Sequence, residues 1–340
     1  MLDASDLMSR TCQRCDAVGH DRVGQVAGDQ LASLDPGADA TLSQDAGGAG
    51  QVGGAEHHAS LITEPREGTL IAQHTVLDDA YVVGHLLDVP DGLSRPTVLL
   101  DTPGGGIHYE EPEPSLSLPG RVLRSFAIGD ETVWPWAERT TVLHESVPGH
   151  HAHSGAQSLD PSLTLWQRHL GKVPGCNEGW ALYAERLMEE LGYLKDPGDR
   201  MGMLNAQRMR AARVVFDIGV HCELPVPDEW TERLGVEPGT IWTSELGYEF
   251  LKQNLDDSEG QVRFEFLRYL GWPGQAPSYK IGERLWLQLR EQALARGEDM
   301  RQFHTRALML GSVGLDTLRR ALTDEMMLPL EAEDDDDDDD

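Results

Sequence analysis

Residues 144–151 read HESVPGHH, and this stretch predicts both the chemistry of the chain and the helices around it. A His followed directly by Glu, with two further His nearby, is typical of zinc hydrolases. In such sites imidazoles bind the metal and the carboxylate takes a proton from an activated water. The usual second His, four residues after the first, is replaced here by Pro148. The pattern therefore predicts a metal site and leaves its geometry open.

The first predicted ligand is His144, with Glu145 as general base, while His150 and His151 compete for the second position. On a regular helix the sixth residue on lies roughly 120° around the axis, and the seventh lies about 10 Å further along it. Neither could share an ion with His144 unless the helix departs from regular geometry. Pro148–Gly149 is where it can bend, because proline removes a helical donor. We favour His150, with His151 as the alternative.

The third ligand is expected from a separate helix, and Glu178 is the best candidate. It lies in NEGWALYAERLMEELGYL, residues 177–194, whose apolar positions approximate one broad face and predict a helix with Asn177 as a possible N-cap. Glu185, two turns further on, competes for the metal. An acid in a first turn also stabilises the helix dipole without binding anything. The upstream His-Glu pair favours the ligand interpretation.

The rest of the chain predicts a mainly α protein in three parts. Residues 1–75 are rich in Gly, Ala, Asp, Ser and Gln without sustained periodicity, so we expect disorder there. Residues 76–327 are predicted as a helical domain with a few short strands, one of them at 97–101, and residues 328–340 as a solvated acidic tail. Apolar periodicity and Pro or Gly stops predict helices near 136–147, 159–171, 177–194, 200–222, 228–236, 243–255, 278–296, 299–310 and 314–327.

The composition argues against several classes of partner. The net charge is −30, and a surface this acidic repels nucleic acids and anionic membranes. Four Cys do not make a disulfide framework in 340 residues, and we interpret Cys12 and Cys15 as incidental thiols rather than half of a zinc ribbon. No apolar run reaches the roughly 20 residues of a membrane span, and no signal pattern is evident. A cytoplasmic protein is therefore expected.

Five motifs, in order along the chain, resemble the domain of unknown function 885 family, a group of predicted zinc peptidases. They are HESVPGHH at 144–151, EGWALYAERLMEELGY at 178–193, RVVFDIGVH at 213–221, RYLGWPGQAPSYKIGE at 268–283 and FHTRALMLGSVGLDTLRRAL at 303–322. The resemblance covers roughly residues 78–325 and implies a zincin-like helical metallopeptidase. It supports His150 by analogy with the Gly-His pair of related peptidases. Family members are usually longer, with a helical N-terminal half that residues 1–75 do not resemble.

In this family context further residues become candidates for the site, each with a structural alternative. Asp217 and His221 share a helix face four residues apart, so His221 is either oriented toward the transition state or half of a structural pair. The resemblance implies that Tyr279 donates a hydrogen bond to the developing oxyanion. Arg268 and Lys280 are expected to hold a substrate carboxylate.

Together these residues predict a zinc-dependent hydrolase that cleaves a short peptide or another small amide. His144, His150 or His151, and Glu178 would hold one Zn²⁺, with manganese or cobalt as alternatives, and Glu145 would act as general base. Two other hypotheses stay open. One is a non-catalytic, truncated remnant of such an enzyme, and the other is a metal-binding interaction protein whose acidic tail recruits a basic partner. The sequence determines neither endo- or exopeptidase action nor the oligomeric state.

Overall fold

A computed structural model of the chain describes residues 59–60, 86–88, 93, 96–100, 106–113, 119–125, 132–133 and 135–323. Short strands, numbered in chain order, precede the helices. β2 (Thr97–Leu100), β4 (Arg121–Arg124) and β3 (Ile107–Glu110) form a small sheet in that order, with β2 parallel and β3 antiparallel to β4. A separate antiparallel pair joins β1 (Ala59–Ser60) to β5 (Thr132–Val133).

Helices make up most of the described chain, which confirms the prediction of a mainly α fold. They are α1 (Pro135–Glu145), a π-helix (His151–Gly155), α2 (Ala156–Leu159), α3 (Leu165–His169), α4 (Pro174–Glu190), α5 (Pro197–His221), α6 (Asp228–Leu234), α7 (Ser244–Asn254), α8 (Glu259–Gly271), α9 (Gln275–Ala295), α10 (Met300–Leu308) and α11 (Leu315–Leu322). No helix of the described residues is long and apolar enough to cross a membrane.

Three helix predictions need correction. α4 begins at Pro174, since proline fits a first turn where no backbone donor is needed, so Asn177 lies inside the helix rather than capping it. The helix expected at 159–171 is shorter, because α2 already ends at Leu159 and only α3, Leu165–His169, lies inside that range. α8 is absent from the predictions, although Ser258 caps it by accepting a hydrogen bond from the Gln261 amide. The predicted disorder of residues 1–75, apart from β1, and the predicted acidic tail lie outside the described residues.

The first hydrophobic cluster lies between α4 and α9 and fixes one wall of the site. Its largest fully buried side chains are Trp180, Tyr183, Trp286 and Phe303. The two helices touch backbone to backbone, because a Cβ added to Gly179 would lie 2.5 Å from Gly282. Only glycine permits this approach at both positions. The crossing brings Glu178 on α4 and Tyr279 on α9 to the same side of the molecule.

A second hydrophobic cluster holds α5, α7 and α8 together through Phe216, Phe250 and Tyr269. α1 packs closely on α5, where a Cβ on Gly202 would lie 2.4 Å from the Trp136 carbonyl oxygen. A cavity of about 560 Å³ lies among α1, α4, α5, α8, α9 and the strand β3. Because both clusters are built from helix faces, packed helices form most of the walls of this cavity, and short connecting segments such as residues 255–257 complete them.

Candidate metal centre

The segment after α1 departs from helical geometry at Pro148–Gly149, as the sequence predicted. Gly149 donates its amide hydrogen to the Leu143 carbonyl at 3.1 Å, six residues back, and His151 donates to Ser146 at 3.1 Å, five residues back. The peptide bond before Pro148 is cis. A Cβ on Gly149 would lie 1.9 Å from the His144 carbonyl oxygen, so only glycine fits. The chain therefore folds back over the end of α1.

This bend brings His150 beside His144. The two rings lie with their centres 4.8 Å apart and nearly perpendicular. Glu178 reaches both from α4, with its Oε2 atom 3.3 Å from Nε2 of His144 and 3.2 Å from Nε2 of His150. One ligand atom of each of the three residues lies within 4.8 Å of the other two. Two imidazoles and a carboxylate thus converge on a point that a metal ion could occupy.

His144, His150 and Glu178, the trio, lie in surroundings that favour positive charge near the carboxylates. Burial opposes charge on His144, but hydrogen bonds to Glu178 and Glu185 and the charges of Glu185 and Glu145 raise its pKa to about 9. Burial also opposes charge on Glu178, yet the charge of His150 and hydrogen bonds from both histidines hold its pKa well below the usual range. Glu178 is therefore a carboxylate at neutral pH, as a metal ligand has to be.

Glu185 lies behind His144 rather than in the trio. Its Oε1 atom accepts a hydrogen bond from Nδ1 of His144 at 2.8 Å, and Thr140 donates to the other oxygen. Arg210 lies 3.5 Å from Oε1. A carboxylate on Nδ1 holds the ring in place and favours the tautomer in which Nε2, once it has given up the proton shared with Glu178, is free to bind a metal. The residue considered as a competing ligand therefore orients the first ligand.

Glu145 is buried, with 5% of its surface exposed, and lines the cavity next to the trio. Its Oε2 atom is buried and accepts no hydrogen bond from the described part of the chain. A buried carboxylate oxygen without a donor is costly, so such an atom points to a partner that binds in the cavity.

His151 does not join the trio. Its Nδ1 atom forms a hydrogen bond of 2.9 Å with the Tyr109 hydroxyl on β3, and burial raises the pKa of that tyrosine, which stays a neutral phenol. On the other side of the bend, the Trp180 indole donates to the Pro148 carbonyl at 2.8 Å. The bend is thus fixed by the sheet on one side and by the first hydrophobic cluster on the other.

Tyr279 faces the trio from α9. Its ring stacks on that of His144, with centres 6.0 Å apart and an angle of 18° between planes. Burial first, and then the charge of Glu178, raise the pKa of its hydroxyl, which stays protonated. The hydroxyl accepts a hydrogen bond from Gln275 at 3.2 Å, so its own hydrogen is left to donate.

Arg268 and Lys280 differ in their placement. Arg268 lines the cavity, but Glu265 accepts from its Nη2 at 2.6 Å and Gln275 from its Nη1 at 2.9 Å. Lys280 is not among the residues that line the cavity, and its ammonium group donates to Gln207 at 2.5 Å and to Glu283. The structure therefore satisfies both cations internally.

His221 also lies outside the cavity lining. Its Nε2 atom donates to the Tyr269 carbonyl at 3.1 Å, while Asp217 is 4.0 Å away and accepts instead from the Gly274 amide at 3.1 Å. Burial lowers the pKa of His221 and raises that of Asp217 to about 7. Asp217 thus holds the loop before α9 and His221 holds a carbonyl of α8, and the two side chains do not form the hydrogen-bonded pair that was the structural alternative.

Several cavity residues escaped the sequence reasoning. Tyr109 comes from β3, and Arg210 and Arg213 come from α5. The two arginines lie three residues apart and are 7% and 4% exposed. A signal was available, since Arg213 begins the family motif RVVFDIGVH and two arginines on the face of Phe216 and Asp217 have to find buried partners.

The chain belongs to a family of bacterial proteins of unknown function, DUF885, which matches residues 77–322. No curated protein matches it. Two solved structures described as a "putative lipoprotein" are similar. One, from Colwellia psychrerythraea, is 28% identical with a TM-score of 0.59 and covers 76% of this chain and 42% of its own. The other, from Shewanella oneidensis, is 16% identical with a TM-score of 0.56. The match covers 95% of this chain and 57% of that structure, and it shows a shared fold alone.

The chain thus spans about half the length of the two structures it matches. Their description as lipoproteins contradicts the expectation of a cytoplasmic protein, because lipoproteins are attached to membranes or exported. The sequence argument failed because it looked for a spanning segment and a signal pattern, and neither is needed in the part of a protein that carries its site.

Proposed function

We propose that this member of the family is a metal-dependent hydrolase that cleaves peptide or other small amide bonds. The observation that carries the proposal is the convergence of His144, His150 and Glu178 beside the unpartnered carboxylate oxygen of Glu145. Two His and one Glu form a ligand set of catalytic zinc sites, which keep a further position open. Manganese and cobalt suit the same ligands, and zinc is preferred.

A divalent ion held by these three residues would supply a Lewis acid and lower the pKa of bound water toward 7. The protein supplies the base. Glu145 takes a proton from the attacking water at Oε2, the atom that accepts nothing from the described residues, and then delivers it to the leaving amine. Glu185 keeps the His144 ring in place through its Nδ1 hydrogen bond while this happens.

Tyr279 stabilises the oxyanion that develops on the scissile carbonyl. Its hydroxyl keeps its hydrogen because burial raises its pKa, and Gln275 holds the oxygen from the other side. Donors fixed in this way stabilise a developing charge without reorganising at the moment of reaction. His221, the other candidate for this role, is not carried into the proposal, because it lies outside the cavity lining.

The substrate class follows from the size of the cavity. A volume of about 560 Å³ accommodates a few residues of an extended chain but not a folded protein. We therefore propose a short peptide as substrate. The similarity to a lipoprotein supports action outside the cytoplasm.

Metal content and a Glu145→Gln variant test the proposal. Protein purified without chelators is expected to hold about one zinc per chain by mass spectrometry. Glu145→Gln is expected to keep that zinc and lose at least 10²- to 10⁴-fold in kcat on a panel of short peptides, the usual contribution of a general base. Glu249→Gln, at an exposed position on α7, is the matched control and should retain activity.

Two results would count against the proposal. Purified protein without a stoichiometric divalent ion would remove the metal centre. A Glu145→Gln variant as active as wild type would remove the mechanism. Stoichiometric zinc without hydrolysis of any peptide would instead favour a metal-binding protein that does not catalyse.

A further inference from the structure

Three arginines line one wall of the cavity near Tyr279. Arg210 and Arg213 project from α5, and Arg268 projects from α8. Arg210 and Arg213 are buried. In a chain whose net charge is −30, a concentration of buried positive charge at one point requires an explanation.

The carboxylates around this wall do not balance it. Glu265 serves two arginines, at 3.4 Å from Arg213 and 2.6 Å from Arg268. Glu185 lies 3.5 Å from Arg210, but the same oxygen already accepts from His144 at 2.8 Å. Three guanidinium groups thus share two carboxylates, and one of those is engaged by the metal centre. A buried cation without its own counter-ion is unfavourable unless a ligand supplies one.

Unused donors point in the same direction. Arg213 donates from Nε to the Tyr269 hydroxyl, and its Nη2 atom faces Met209 and Glu265. Its Nη1 atom and the Nε atom of Arg210 are buried, and neither finds an acceptor in the part of the chain that the structure describes. Buried guanidinium donors are normally satisfied, since leaving one unpaired costs free energy.

The spacing to the metal centre suits a short substrate. The Tyr279 ring lies near both groups, with its centre 4.8 Å from the Arg213 guanidinium carbon and 6.0 Å from the His144 ring centre, so Arg213 and the His144 ring are at most about 11 Å apart. An extended residue spans about 3.5 Å. One to three residues therefore bridge the distance from a carbonyl at the trio to an anion at the arginine wall.

We propose that Arg213, assisted by Arg210, binds the C-terminal carboxylate of the substrate, so that the protein releases one or a few residues from the C-terminus of a short peptide. Nη1 of Arg213 keeps its donors without an acceptor among the described residues, and a carboxylate is an acceptor that matches its charge. Arg268, the arginine that the sequence suggested for this task, already has an acceptor for each terminal nitrogen, Glu265 for Nη2 and Gln275 for Nη1. This inference rests on the proposed function for the bond cleaved, and on the arginine wall alone for the carboxylate.

Kinetics on matched peptides test it. Acetyl-Ala-Ala-Phe with a free carboxylate and the same peptide with a C-terminal amide differ only in the proposed contact. Wild type is expected to prefer the free acid in kcat/KM. Arg213→Met should lower the acid-to-amide ratio about 10- to 100-fold, the worth of one charge-assisted hydrogen bond. Arg213→Lys, which keeps the charge and loses the fork, should give an intermediate ratio.

Controls separate this result from damage to the fold. Arg290→Met removes an arginine that pairs with Glu190 away from the cavity and should keep the wild-type ratio. If Arg213→Met does not fold, as judged by thermal melting, Arg210→Met takes its place with the same readout. A third peptide, acetyl-Ala-Ala-Glu with a C-terminal amide, tells a C-terminal carboxylate from a side-chain one. Preference for this peptide would overturn the assignment to the C-terminus.

A binding measurement distinguishes failure of the carboxylate site from failure of the proposed function. Calorimetry with Glu145→Gln protein and acetyl-Ala-Ala-Phe should show binding that the amide lacks and that a further Arg213→Met change removes. Hydrolysis of acid and amide at equal rates would overturn the carboxylate site and leave the proposed function standing. Selective binding of the acid without hydrolysis by wild type would overturn the proposed function and leave the carboxylate site standing. If the protein showed no preference for the acid in either binding or hydrolysis, the inference would be overturned.

Discussion

Two buried arrangements of an acid with a histidine lie in this protein, and they behave in opposite ways. His144 contacts carboxylates at both ring nitrogens, Glu185 at 2.8 Å and Glu178 at 3.3 Å, and its pKa rises to about 9. His221 donates to a backbone carbonyl, its nearby Asp217 is 4.0 Å away, and its pKa falls. Both places combine an imidazole with a carboxylate.

The two arrangements differ in the groups that contact the carboxylate. Glu178 is shared between two histidines from another element, whereas Asp217 accepts the Gly274 amide and holds a loop. Residues four apart on a helix share a face, but that spacing does not say whether the two side chains meet or what the face looks toward. A buried acid beside a histidine is thus a structural pair or part of a site according to its third partner.

The largest expected effect separates the two arrangements by metal content. Glu178→Gln is expected to abolish stoichiometric zinc binding, because a neutral amide replaces the charged ligand that both histidines face. Asp217→Asn should bind zinc as wild type does. Mass spectrometry of protein purified without chelators measures both. Equal zinc content in the two variants would show that Glu178 is no more a metal ligand than Asp217 is.

A smaller effect is expected at the bend that makes the first arrangement possible. Gly149→Ala places a Cβ 1.9 Å from the His144 carbonyl oxygen, a backbone atom that cannot rotate away. Overpacking of this kind costs about 1–3 kcal/mol, and each kcal/mol lowers Tm by roughly 2–4 °C in a domain of this size. Zinc affinity should fall as well, because His150 follows the bend.

Gly271→Ala is the matched control for the bend, because a Cβ there meets no atom within 4 Å. This variant should have the Tm of wild type and keep its zinc. If Gly149→Ala also melted with wild type and kept its zinc, the bend would not be what positions His150.

A third effect is confined to stability, concerns the second arrangement and depends on pH. Burial raises the folded pKa of Asp217 from 3.8 to about 7. Folding therefore favours its protonated form, and the free energy of unfolding falls as pH rises from about 4 to 7, by roughly 1.4 kcal/mol per unit of pKa difference at most. Asp217→Asn keeps an acceptor for Gly274 and removes this dependence.

Urea unfolding of wild type and Asp217→Asn at pH 5 and pH 8 measures the difference. The variant should gain stability relative to wild type at the higher pH. Parallel changes in the two proteins would show that Asp217 keeps an ordinary pKa in the fold.

Much of the fold could be predicted from periodicity and from Pro and Gly stops, and the trio of His144, His150 and Glu178 from spacing and a proline. α8 was missed because its residues were not recognised as a periodic segment. The arginine wall was missed for another reason. Arg213 and Arg268 meet Glu265 only when α5 packs on α8, and no pattern within either helix records that packing.

The hydrogen bond from the Trp180 indole to the Pro148 carbonyl has a consequence for how the candidate site comes apart. It ties the bend to a ring cluster at the centre of the first hydrophobic cluster, where Trp180 contacts both Tyr183 and Trp286. The amides of residues 149–153 should therefore exchange with solvent deuterium only when the whole domain opens. Loss of the site on storage or heating would then follow the rate of global unfolding, without an earlier step confined to the bend.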